Sequence, residues 1–103
     1  MYTSLSVESR IESRLRELRT TVSFLAALDG ISNTRLNQAL RGHKPLDTKD
    51  GIRLNDLTLR LIELQDAMRP LPISFQNVEE VRGLLAVTKK PEEIREIISK
   101  LFQ

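Results

Sequence analysis

One stretch in the first half of the chain carries amides, hydroxyls and cations but no carboxylate. It extends from Gly30 to Leu46 and reads GISNTRLNQALRGHKPL. Asparagine and glutamine amides form paired hydrogen bonds with adenine, arginine does so with guanine, and hydroxyls bond either base edges or phosphates. A carboxylate at such a surface would repel phosphate. The side chains of this stretch are therefore suited to contact a nucleic acid.

Other kinds of chemistry find little support in the residues present. The chain has no cysteine and a single histidine, which excludes disulfides, thiolate metal sites and a cysteine nucleophile. Neither glycine-rich phosphate-binding motif, GxxxxGK(S/T) or GxGxxG, occurs. No serine elbow accompanies His43, and the acidic pairs at 79–80 and 92–93 fall in first helical turns, where they favour the helix dipole. We expect no enzymatic activity, no cofactor and no metal site.

The spacing of apolar residues predicts an all-α fold of five to six helices and no strand. Helix starts are indicated by residues that cap: Thr20 or Thr21, Ser32 or Asn33, Asp47, and Asn77 with Glu80 three residues on. Prolines at 70 and 72 favour a short extended arm at 71–76. The predicted helices cover residues 5–19, 21–28, 33–41, 47–69, 77–87 and 91–102.

The second and third predicted helices are expected to form one unit across a tight turn. A steep helix crossing needs a small residue at the contact, which Ala26 supplies, and a residue tolerant of positive φ in the turn, which Gly30 supplies. Ile31, Leu36 and Ala39 or Leu40 then lie beneath the second helix of the pair. Its outward positions are Ser32, Asn33, Thr34, Asn37, Gln38 and Arg41.

The segment LAALDGISNTRLNQALRG resembles the helix-turn-helix of the lambda-repressor/Cro-like DNA-binding family. The resemblance covers residues of about 10–65 and follows the family order of a first helix, the pair, and a long apolar helix. Two positions depart from it: Asp29 stands where the family usually has an apolar residue, and Val22 where several members have a glutamine that helps to position the recognition helix.

The resemblance implies roles for the polar residues of this unit in binding double-stranded DNA. Base edges would be read by Ser32, Asn33, Thr34, Asn37 and Gln38, and the DNA backbone held by Arg35, Arg41, His43, Lys44 and Lys49. The alternative is a merely solvated helix face, and for His43 a solvated loop residue. For Arg10, Arg14 and Arg16 we expect a solvated face paired with Glu12 and Glu17.

The last third of the chain is predicted to be an extension. We place the helix-turn-helix domain at 1–69 and the extension at 70–103. Its apolar residues exceed what two helices need, which favours a homodimer or partner interface. The residues concerned are Ile73, Phe75, Ile94, Ile98, Leu101 and Phe102. The alternative use of the apolar surface is intramolecular: one side of the long helix covers the first three helices and another meets the C-terminal ones.

These observations predict a sequence-specific transcriptional regulator, repressor-like and of a phage type, acting as a dimer on an inverted repeat. Residues 1–44 hold seven Lys/Arg against four Asp/Glu, while the whole chain has a net charge of +2. That near-neutral total and the departure at Val22 are the features that favour the alternative, a protein-binding module such as a phage-encoded inhibitor of a host nucleic-acid-binding enzyme. The apolar runs are too short to span a membrane, so no membrane association and a cytoplasmic location are expected.

Overall fold

The computed structural model describes residues 6–69, 74–87 and 100 of the chain. Those residues form five α-helices and no strand, which confirms the all-α prediction. The helices are α1 (Val7–Glu17), α2 (Val22–Asp29), α3 (Asn33–Leu40), α4 (Thr48–Ala67) and α5 (Val78–Val87). Lys100 is helical, and the rest of the sixth predicted helix lies outside the described residues.

A polar side chain begins each of the five helices by accepting a hydrogen bond from a backbone N–H three residues later. Such a cap satisfies an amide that has no partner inside the helix. The sequence predicted four of these caps, at Thr21, Ser32, Asp47 and Asn77. The five cap bonds measure 3.1 Å at Ser6, 3.1 Å at Thr21, 3.3 Å at Ser32, 2.8 Å at Asp47 and 3.1 Å at Asn77.

Left-handed residues follow three of the helices: Arg19 after α1, Gly30 after α2 and Gly42 after α3. After α1, Arg19 takes φ 56°, and the amides of Arg19 and Thr20 bond the carbonyls of Arg16 and Leu15 at 3.1 and 3.0 Å. This is a Schellman ending with arginine where glycine is usual. After α2, Gly30 takes φ 85°, as predicted, and its amide bonds the carbonyl of Ala26 at 2.9 Å.

One buried cluster joins the five helices. Ala26, the small residue predicted for the contact between α2 and α3, is buried, and Leu28, Ile31 and Leu40 pack against the cluster. Most of the long apolar seam of α4 is used inside the molecule, while Ile52 and Leu59 are exposed. The fully buried members are Ile11, Leu25, Leu36, Leu54, Leu61, Leu64 and Val81.

The contact between α1 and α4 contains a polar centre that the sequence did not predict. Thr58 is fully buried, and its hydroxyl donates to the carbonyl of Asn55 at 2.9 Å. Arg14 donates to the side chains of Asn55 and Thr58 at 2.5 and 3.2 Å. The prediction of a solvated Arg14 was therefore wrong, whereas Arg16 does pair with Glu12, at 3.6 Å.

The residues before and within α5 belong to the same core as the first four helices. Phe75 is 2% exposed and stacks edge-on against Phe24, with ring centroids 6.4 Å apart. It lies in a turn, so the extended arm predicted at 71–76 is not extended there; residues 70–73 lie outside the described residues. A division after residue 69 thus does not separate two cores within the described part of the chain.

Polar bonds add to this attachment of α5. The Thr20 hydroxyl donates to the Phe75 carbonyl at 2.5 Å. From α5, Arg82 donates to the carbonyls of Ala27 and Leu28 at 3.1 and 3.4 Å, which places a cation at the C-terminal end of α2, where the helix dipole is negative. No helix among the described residues is long and apolar enough to cross a membrane.

Candidate nucleic-acid interface

Helix α3 has one buried side and one polar side. Leu36 and Ala39 are buried beneath it, while Asn33, Thr34 and Gln38 are exposed. This division follows the 3.6-residue period of the helix. Leu36 and Ala39 lie on one face of the helix, and the exposed residues lie on other faces. The structure therefore brings the predicted base-reading residues together on one open surface, which we call the α3 face: Ser32, Asn33, Thr34, Asn37 and Gln38.

Two of these residues form a unit on the surface. The side-chain amide of Asn37 donates to the carbonyl and to the side-chain oxygen of Asn33, each at 3.0 Å. Residues four apart on a helix are neighbours, so this pairing is local. Ser32 has a second role as well, because its hydroxyl caps α3. Thr34 and Gln38 are exposed beside this pair.

The loop that follows α3, residues 41–46, carries exposed cations beside the α3 face. We call it the α3–α4 loop. Arg41, His43 and Lys44 are exposed in it, and Lys49 is exposed in the first turn of α4. Gly42 takes φ 79°, which glycine adopts without strain. The amides of His43 and Lys44 both bond the carbonyl of Gln38, at 2.9 and 3.3 Å, so the loop stays close to the C-terminal end of α3.

One predicted DNA-backbone residue binds the loop backbone instead. Arg35 is only partly exposed, and its guanidinium donates to the carbonyls of Lys44 and Pro45 at 3.0 and 2.8 Å. Each terminal nitrogen of the guanidinium thus makes one bond to the loop backbone. The prediction of Arg35 as a phosphate contact is therefore corrected: its guanidinium binds the protein's own backbone.

The carboxylates nearest to this unit are engaged with cations or with backbone amides. The side chain of Asp29 is 4% exposed, and its carboxylate accepts hydrogen bonds from two nitrogens of Arg53 at 2.9 and 2.8 Å. Arg53 also pairs with Asp50 at 2.8 Å. Hydrogen bonds to Asp29 first, and to Asp50 second, raise the pKa of the Arg53 guanidinium above its ordinary value. Asp47 caps α4.

Sequence reasoning had noted Asp29 as a departure from the family but missed its partner. Arg53 lies 24 residues away, and no local spacing rule connects the two. A signal was nevertheless present, since an acidic residue at the C-terminal end of a helix faces the negative end of the dipole and calls for a cation nearby. Leu28, the residue before Asp29, packs against the core.

The residues predicted for a dimer or partner interface divide into one that is buried and five that lie outside the described residues. Phe75 is corrected, because it is buried in the core against Phe24 and has no surface to offer. The five outside the described residues are Ile73, Ile94, Ile98, Leu101 and Phe102.

The described part of the chain holds no group of three or more acidic or histidine side chains placed to bind a metal ion.

No protein-family model, no curated protein and no solved structure matches this chain. Its function therefore has to be inferred from these residues and their geometry.

Proposed function

We propose that this protein binds double-stranded DNA in a sequence-specific manner, with α3 in the major groove, and acts as a transcriptional regulator. The observation that carries the proposal is the α3 face itself. Amides and hydroxyls stand together on a helix with no acidic residue, and exposed cations follow directly in the α3–α4 loop. The major groove admits one α-helix, and amide side chains match the edge of adenine there.

The surroundings of the α3 face support the same proposal. Arg53 pairs with both Asp29 and Asp50 and offsets one of their two negative charges, so they present less negative charge to an approaching phosphate. The turn before α3 is fixed by Gly30, and the helix is anchored by Leu36 and Ala39. A fixed helix can present side chains to bases at a defined depth, which direct readout requires.

A selection from random duplex DNA tests the proposal. We expect selected duplexes to bind at least about 1,000-fold more tightly than random ones at physiological salt, the lower end of specific recognition. Binding should weaken as salt rises, with a logarithmic slope of about −0.9 for each phosphate contacted. Selected duplexes that bind no better than random DNA would refute specific recognition.

Variants separate base reading from backbone contact. Gln38→Ala or Asn37→Ala should cost about 1–3 kcal/mol at the preferred site and relax its sequence preference. Lys44→Ala should weaken all duplexes alike and reduce the salt slope by about 1. The matched control is Arg69→Ala, which removes the same charge from an exposed residue beyond the far end of α4, paired there with Asp66 at 3.5 Å. It should change neither property. Equal losses on all duplexes from Gln38→Ala, Asn37→Ala and Lys44→Ala, with Arg69→Ala unchanged, would show that α3 does not read bases.

We also propose that the regulator acts as a homodimer on an inverted repeat. One recognition helix reads only a few base pairs, and a two-fold partner places a second helix about 34–36 Å away in the next major groove. The apolar residues of the last third of the chain, Phe75 excepted, remain the proposed interface. Sedimentation equilibrium should show a dimer at micromolar concentration, and a monomer that binds one palindrome tightly would contradict it.

A second candidate function follows from the small net charge of +2. The α3 face could bind a protein, for example a nucleic-acid-binding enzyme of a host cell. The two proposals differ in the DNA selection, because a protein-binding module enriches no duplex over random sequence. Cytoplasmic action is part of both proposals.

A further inference from the structure

The α3–α4 loop is held from two sides by charged side chains of other elements. Arg35, in α3, donates to the carbonyls of Lys44 and Pro45 at 3.0 and 2.8 Å. Glu8, in α1, accepts the amide of Leu46 at 2.9 Å. Both are bonds between a charged side chain and the backbone, which are stronger than bonds between neutral groups.

The backbone of the loop is also bonded to α3. The amide of Gly42 bonds the carbonyl of Ala39 at 3.1 Å, and the next two amides bond the carbonyl of Gln38. The segment 42–46 thus has its amides and two of its carbonyls engaged, apart from Pro45, which has no amide hydrogen. The side chains of His43 and Lys44 are exposed on this fixed backbone.

We propose that Arg35 is a positioning residue for DNA binding: it fixes the backbone from which Lys44 reaches a phosphate, and it does not contact DNA itself. This inference rests on the proposed function. Two nitrogens of one planar guanidinium engage two consecutive carbonyls, a geometry that the point charge of a lysine cannot reproduce. A loop already ordered in the free protein loses less conformational freedom on binding, so its cation contributes more affinity.

The inference predicts that removing Arg35 has the same effect as removing the contact it supports. Each lost phosphate contact lowers the salt slope by about 0.9, which means that the loss of affinity between 50 and 200 mM salt becomes smaller by about 3.5-fold. Arg35→Met and Lys44→Ala should each show this change on every duplex. Arg35→Lys should resemble Arg35→Met, although it keeps the positive charge.

A double-mutant cycle on the full-length chain tests the inference, with duplexes taken from the selection described above. If Arg35 acts through Lys44, Arg35→Met has little further effect once Lys44 is alanine, within about twofold of Lys44→Ala alone. The matched control is Arg41→Met, which removes an exposed arginine of the same loop. The fold-loss of DNA affinity caused by Arg41→Met should multiply with that caused by Lys44→Ala, because the free energies of independent contacts are additive.

The inference would be overturned if the fold-losses of DNA affinity caused by Arg35→Met and Lys44→Ala multiply in the double variant. A direct phosphate contact by Arg35 and a general loss of stability would each give that result. Retained affinity and salt slope in Arg35→Lys would overturn it as well. Where Arg35→Met fails to fold, as seen by circular dichroism, the cycle is carried out with Arg35→Lys. Failure of the proposed function gives a different result, because the unaltered protein then binds selected duplexes no better than random DNA, before any variant is made.

Discussion

The turn between α2 and α3 allows a stability test in which backbone conformation is the sole variable. Gly30 takes φ 85°, and a Cβ atom placed at this position meets no other atom within 4 Å. A Cβ atom placed at Gly83, inside α5, also meets nothing within 4 Å, and Gly83 has no positive φ. Substituting alanine at either site therefore adds the same methyl group to open space, and the two variants differ in the φ that it must accept.

The expected changes in unfolding free energy have opposite signs. A left-handed L-residue costs about 1–2 kcal/mol, and the reduced freedom of the unfolded chain returns about 0.4–1 kcal/mol, so Gly30→Ala should destabilise by about 1 kcal/mol. Gly83→Ala should stabilise by about 0.5–1 kcal/mol, because glycine is a poor helix former. The melting temperatures should then move apart by about 4–8 °C for each kcal/mol that separates the variants.

Urea denaturation followed by circular dichroism measures both changes, with the same m-value required of both variants. Two variants that shift stability in the same direction would refute the assignment of the turn. An unchanged Gly30→Ala would show in particular that residue 30 does not need a left-handed conformation. The placement of the α3 face relative to α2 would then lose its basis.

Three further substitutions have expected outcomes in the same assay. Phe75→Ala should lower the free energy of unfolding by about 3–5 kcal/mol, because it leaves a cavity in a buried site against Phe24. A loss below about 1 kcal/mol would show that Phe75 is not buried. Arg19→Gly should stabilise by about 0.5–1 kcal/mol by relieving the left-handed φ of 56°, and a loss of stability would contradict the Schellman ending. Arg53→Met should cost about 1–3 kcal/mol, because it leaves the Asp29 carboxylate nearly buried without its partner. Because the pKa of Arg53 is raised, its contribution is complete below the ordinary arginine pKa and is lost only at higher pH; a stability difference between Arg53→Met and the unaltered protein that varies between pH 6 and 9 would contradict this assignment.

The features that the sequence predicted correctly are those determined by neighbours along the chain. A cap such as Ser32 acts on an amide three residues away, and the turn at Gly30 is set by its own φ. The buried side of α3 follows from helical spacing, so Leu36 was assigned correctly. The grouping of polar residues on the α3 face is a consequence of the same spacing.

The features that the sequence did not predict depend on residues far apart in the chain. Phe75 meets Phe24 because α5 folds back onto α2, and nothing in the apolar pattern around 75 shows which surface it will cover. Arg14 was assigned to solvent because it is charged, but its long side chain reaches the polar centre around Thr58. Arg35 was assigned to DNA because arginine suits phosphate, and the competing carbonyls of the α3–α4 loop became visible only with the fold.

The position of Phe75 and Val81 in the common core has a consequence for synthesis of the chain. Both residues leave the ribosome after all of α1–α4, and until then the apolar sites that they fill stay open to water. The α2–α3 pair, although complete in sequence by residue 42, thus cannot reach its final packing until α5 has emerged. During that interval the nascent chain exposes apolar surface, the condition in which chains associate wrongly or bind chaperones. Rapid translation of residues 70–87 would shorten this interval.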